Sequence, residues 1–247
     1  MNIPSAKSAL FVTSLLFLAA TASPYASADV IIDIGRSGQR VESGALDLPG
    51  APAGDDNGNY GPTLIGSGIT LTINNLNALG NTVGGIDWRD KGDSTSTESL
   101  VWLGEDFVKN DAGIIRLTLS GIAAGTYNAF GYHLDSKFAQ SEEIKVFVQT
   151  TPGGTSFSEN GTPGNANFEG GNGGLNNLNT AGIDATRSSF QFVSNGLDPV
   201  VIIFDGTAAT DKEVPLNGIQ FAVIPEPSSA LMVLLGLVGI LAVRRRR

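Results

Sequence analysis

Ile114-Ile115-Arg116-Leu117-Thr118-Leu119 alternates apolar and polar side chains, Ser120 to Gly125 supplies turn residues, and Thr126 to Leu134 runs on as a second extended segment. A two-residue alternation places every second side chain on one face of an extended chain. Two such runs joined by a short turn predict a pair of partnered strands with one buried face.

The same pattern recurs outward from this pair. Ile69 to Ile73 alternates, and Glu143 to Thr150 (EIKVFVQT) puts Ile144, Val146 and Val148 on one face. Val30 to Ile34 is a β-branched run stopped by Gly35. Ser188–Val193, Pro199–Phe204 and Leu216–Val223 complete the series. Leu100 to Lys109 fits either a strand or a short helical turn. Residues 36–62 read as a long loop and Asp90 to Thr97 as a polar exposed one. Residues 151–182, with nine glycines and seven asparagines, read as a loop with little apolar surface to order it. Glycine fills 32 of 247 positions, nearly twice the usual share of about 7%. Nine or ten short strands with turn-rich separators predict an all-β domain, a single antiparallel two-sheet sandwich of jelly-roll type. An immunoglobulin-like sandwich is the alternative connectivity.

The two ends differ from this body. Lys7 followed by the apolar run Ala9 to Ala20 and by Ala26-Ser27-Ala28 has the order of a secretory signal helix cleaved before Asp29. At the other end Pro225-Glu226-Pro227 precedes an apolar segment, 230–243, and then Arg244, Arg245, Arg246 and Arg247. Fourteen helical residues rise roughly 21 Å, short of a hydrocarbon core of about 30 Å, so the predicted transmembrane helix relies on snorkelling arginines and a thinned bilayer. The arginines set its orientation, with the body outside the inner membrane. The expected division is therefore 1–28 signal peptide, 29–223 β-sandwich with the Gly/Asn-rich loop at 152–182, and 224–247 tail.

Composition narrows the function classes. Ten of the 15 basic residues and 23 of the 24 acids fall in 29–224, a balance of about −13. A body so acidic repels phosphate, so no nucleic-acid partner is expected. The chain has no cysteine and one histidine, His133, which excludes thiol nucleophiles, thiolate zinc sites and a multi-histidine metal centre.

The order of proline-bracketed glutamate, apolar span and basic end resembles the PEP-CTERM sorting signal. That resemblance implies recognition by exosortase, a membrane transpeptidase that removes the tail. It further implies a Gram-negative cell-surface or extracellular-matrix location, an inner-membrane precursor and an association with exopolysaccharide. Ile32 to Gly35, Leu119 to Tyr127 and Leu216 to Phe221 are similar to segments of galactose-binding-like and malectin-like sandwich domains, which again implies a jelly roll.

Several residues are candidates for chemistry. His133 and Asp135, two apart, would share a strand face as a His–carboxylate pair. No G-x-S-x-G elbow occurs, and Gly66-Ser67-Gly68 is a small-residue turn. The adjacent acids Glu105-Asp106 and Glu142-Glu143 would point to opposite faces, unlike a glycosidase pair. No cofactor is required. Calcium is the cation that the oxygen donors Asp55, Asp56 and Asn57 would take, although the spacing departs from an EF-hand. Trp88, flanked by Asp87 and Asp90, is the expected glycan platform, since sugars stack on exposed aromatic faces beside polar groups. The leading expectation is a non-enzymatic surface protein associated with extracellular polysaccharide. A lectin-like module, with or without calcium, is the second reading and a secreted carbohydrate-active enzyme the third.

Overall fold

A computed structural model describes residues 29–35, 39–49, 59–77, 80–84, 86–90, 94–135, 143–165, 180–208 and 212–225. Asp29–Val223 forms one compact unit. In chain order its elements are β1 (Val30–Gly35), β2 (Leu46–Pro49), β3 (Asn59–Gly66), β4 (Ile69–Leu76) and β5 (Asp87–Asp90). A 3-10 turn (Trp102–Gly104), β6 (Asp106–Asn110), β7 (Ile114–Ser120), β8 (Gly125–Tyr132) and β9 (Glu143–Gln149) follow. The remainder is β10 (Phe157–Glu159), β11 (Gly164–Asn165), helix α1 (Thr180–Thr186), β12 (Ser188–Ser194), β13 (Val200–Asp205), β14 (Val214–Leu216) and β15 (Gly218–Val223).

Two sheets face each other. One has the order β12-β8-β15-β1-β2, and the other runs β10-β9-β13-β7-β4-β3, with β11 also on β9. Ile32, Ile34, Phe190, Phe192, Ile219 and Phe221 of the first meet Leu71, Ile73, Leu117, Leu119, Ile202 and Phe204 of the second in one buried cluster. The alternation that places them there is the one visible in the sequence. Each such side chain contributes about 1.5–3 kcal/mol by leaving water. Fold class and sandwich architecture agree with the expectation.

Several details differ. The strands at 114–119 and 126–134 are not partners: β7 pairs with β4 and β13, whereas β8 pairs with β12 and β15. Residues 121–124 therefore arch from one sheet to the other. Ile122 plugs the arch at 5% exposure, the Tyr127 hydroxyl donates to Ala123 O at 2.9 Å, and Ser194 Oγ donates to Ile122 O at 2.9 Å. Gly121 has φ +81°, and a Cβ there would lie 2.2 Å from Gly68 O, so only glycine fits the crossing.

The run 216–223 is broken at Asn217, because Asn217 donates its side-chain amide to Asp106 O and Leu134 O and turns the chain from the small β14-β6-β5 sheet into the five-stranded one. The expected loop 36–62 contains β2, which lies parallel to β1, so the sandwich is not wholly antiparallel. That stretch also contains the start of β3. The expected loop 151–182 contributes β10, β11 and the start of α1. Leu100 to Lys109 is both things at once, a 3-10 turn and then β6. Among the described residues no helix is long and apolar enough to cross a membrane, and the expected spans at 9–20 and 230–243 lie outside those residues.

Candidate functional site

Trp88 sits in β5, and its neighbour in sequence, Arg89, pairs with the Asp87 carboxylate. Its ring is 4% exposed and meets Tyr60 edge-on at a centroid distance of 5.1 Å. A sugar platform needs an open ring face, so the expectation for Trp88 is corrected: it packs the core. The cause is the β5–β6 pairing, which turns Trp88 inward beside Val108. The backbone of Asp90 pairs with that of Asp106. Asp55, Asp56 and Asn57 lie outside the described residues, as do Ala26, Ala28, Glu226, Pro227 and Arg244 to Arg247. Pro225 is described and exposed, just beyond the end of β15.

His133 is fully buried. Its Nδ1 lies 2.9 Å from Pro215 O and its Nε2 lies 2.9 Å from Ser188 Oγ. A carbonyl can only accept, so Nδ1 carries the proton and Nε2 accepts from the serine. Both ring nitrogens are thus committed, and neither is left for Asp135 or a metal. Burial, partly offset by the Pro215 contact, lowers the imidazole to about 4 and keeps it neutral. Ser188 and His133 have the contact of a nucleophile and its base, yet both are at 0% exposure. A Cβ on Gly164 would come within 2.4 Å of the ring, so β11 seals it. The pair holds the fold.

A group of acids collects where β1 and β2 meet the small sheet. Asp33, at 2% exposure, accepts from the Glu42 N–H at 2.6 Å. Burial first, and then the neighbouring Asp106, Asp47 and Glu42 carboxylates, push Asp33 up to about 8 against that hydrogen bond. Glu105, 3% exposed, takes Arg40 and the Ser94 N–H. Glu42 accepts from the Trp102 N–H. Among the described residues no three His, Cys, Asp or Glu side chains converge as a metal site.

An open groove of about 490 Å³ lies on the outer face of β12, β8 and β15. Its floor follows from register. Asn128 lies between Gln191 and Ala222, and Phe130 lies between Ser189 and Gln220. Gln191 Nε2 donates to Asn128 Oδ1 at 2.9 Å. Gln220 is held from both sides, accepting from the Tyr132 hydroxyl at 2.6 Å and donating to Asp29 at 2.9 Å. Asn160 and Gly161 form the wall, with Asn160 Oδ1 accepting from the Gln191 N–H at 3.0 Å. Gly161 has φ +80°, and a Cβ there would lie 1.8 Å from Ser189 O, so the wall approaches β12 only because glycine stands there. A second groove of about 280 Å³ shares Asn160 and Gln191 and continues past the edge of β12. Sequence reasoning passed over these amides because surface Asn and Gln are common; only their cross-strand register collects them.

Residues 223–247 match the family described as the PEP-CTERM protein-sorting motif. This chain carries a PEP-CTERM sorting motif. The motif indicates an exported protein sorted through the membrane and processed by exosortase. A search of curated proteins found no relative. Among solved structures, the body is similar to a family 35 carbohydrate-binding module from Clostridium thermocellum, with 10% identity and a TM-score of 0.32 over 61% of this chain and 90% of that one. The ectodomain of ANX2 from Arabidopsis thaliana gives 11% identity and a TM-score of 0.35 over 64% of this chain and 52% of that one. The K2 cleaved adhesin domain of Lys-gingipain gives 15% and 0.34 over 63% and 90%.

Proposed function

We propose that this protein is a non-catalytic component of the bacterial surface or extracellular matrix, released from the inner membrane by exosortase and held in extracellular polysaccharide. The observation that carries the reading is the PEP-CTERM motif at 223–247. Pro225 and Pro227 favour an extended chain around Glu226, the form a protease cleft accepts. The position of Pro225, exposed just after the last strand, supports access to that segment. Export begins at the signal peptide, with Ala26 and Ala28 marking its cleavage site before Asp29. The proposed mature form is residues 29–223 with at most a short remnant of the tail. The non-catalytic reading is supported by the burial of His133 and Ser188 and by the engagement of Glu105 with Arg40.

Replacing Pro225-Glu226-Pro227 by three alanines tests the sorting step. Intact mass spectrometry of the variant is expected to show the tail retained, with the protein in the membrane fraction. Normal trimming and surface delivery of the triple variant would overturn the proposal.

A further inference from the structure

We propose that the groove across β12, β8 and β15 seats a chain of neutral sugar residues, an inference that rests on the polysaccharide association above and gives it a location. The chemistry of the lining carries it. Among the described residues Asn128 Nδ2, Asn160 Nδ2 and Gln191 Oε1 have no hydrogen-bond partner within the protein, while the other ends of the same amides are tied down. The groove therefore presents fixed donors and a fixed acceptor side by side. A sugar hydroxyl both donates and accepts, so it satisfies such a mixed row, whereas a carboxylate or phosphate calls for arginine or lysine.

Charge points the same way. Among the described residues Asp29 is the one charged residue lining the larger groove and the smaller has none, and the nearest basic group, Arg187, is engaged over the Phe130 ring at the closed end. With the body near −13, an anionic polymer is repelled from this face. Shape adds the third argument. The two grooves share Asn160 and Gln191, and Ser189 lines the larger while Thr126 and Ser158 line the smaller. Two adjoining grooves of this kind suit a polymer that contacts several residues in turn. Phe130, half-buried, closes the end of the groove nearer Tyr132, with Arg187 over its ring at 4.3 Å. Because Gln191, Asn128 and Gln220 are already held by neighbours, little side-chain freedom is lost when a ligand arrives.

The test is affinity electrophoresis of the exported protein recovered from the producing cells, run in gels containing β-1,3-glucan, galactomannan or dextran, and in parallel gels containing alginate. At least one neutral polymer is expected to retard the protein, and alginate is not. Asn128→Ala with Gln191→Ala is expected to weaken the retardation by about tenfold or more with an unchanged melting curve. Gln191→Glu, which keeps the side-chain shape, is expected to weaken it as well and guards against a folding defect in the double variant. Retardation by alginate alone, retardation unaltered by these variants, or none in any gel would overturn the inference. Tail trimming is scored separately by mass, so a silent groove in a normally trimmed protein overturns this inference and leaves the sorting function standing.

Discussion

One face of β8 carries Asn128, Phe130 and Tyr132 at two-residue spacing, and their environments change from exposed through half-buried to fully buried. At the Tyr132 end the sheet is covered: Val101, Leu103, Leu134 and Ile183 pack on it in a second apolar cluster, with Phe130 at the margin. Arg187 lies over the Phe130 ring at 4.3 Å and marks the boundary. Beyond it the same face is bare and lined with amides. A single strand face thus serves as core at one end and as a candidate binding surface at the other. The cover extends only as far as the apolar side chains do, since burying Asn128 and Gln191 without full partners would cost more than it returns.

The largest effect is expected at the buried end. Tyr132→Ala removes the largest fully buried side chain of the second cluster and is expected to cost about 3–5 kcal/mol, read from urea unfolding midpoints. A loss below 1 kcal/mol would mean that the cover is not a second core.

A second test probes the buried acids where β1 and β2 meet the β14-β6-β5 sheet. The Asp33 carboxyl is raised from 3.8 to about 8, so the folded protein binds this proton more tightly than the unfolded chain. Its stabilising contribution is full below 3.8 and is lost as pH rises through about 8. His133 has the opposite sign: lowered from 6.5 to about 4, it supports the fold above 6.5 and its contribution is lost as pH falls through about 4. Between pH 6.5 and 8, of these two only Asp33 changes. Wild-type stability is expected to decline across that window, and Asp33→Asn to flatten the decline. An equal slope in both proteins would show that Asp33 is ionised and solvated throughout.

The smallest effect is expected at the open end. Asn128→Ala alone should change stability by less than about 0.5 kcal/mol, because the residue is exposed. A loss comparable to that of Tyr132→Ala would erase the distinction between the two ends.

Much of the fold was legible locally. The alternation in β4, β7, β9 and β12 identifies both strands and inward faces, because period two is a property of the extended backbone itself. The pairing was not legible. β7 and β8 look like a hairpin in sequence, yet Gly121 and Ile122 carry the chain across the sandwich, and Asn217 ends β14 through bonds to residues 111 and 83 positions away. The candidate site divides in the same manner. The PEP-CTERM motif is contiguous and needs no fold to be recognised. Trp88 illustrates the converse: its acidic and basic neighbours suggest exposure, but β6 lays it against Val108.

The sequence by itself determined the all-β class, the acidic body without thiol chemistry and the sorting tail, because composition, alternation and a contiguous motif act through neighbouring residues. The tertiary structure alone decided which sheet each strand joins, that Trp88 and His133 are interior, and that Asn128, Asn160, Gln191 and Gln220 share one groove. These residues, spread across nearly a hundred positions, meet only because strand register is set by closing a common core, and that closure is a property of the whole chain.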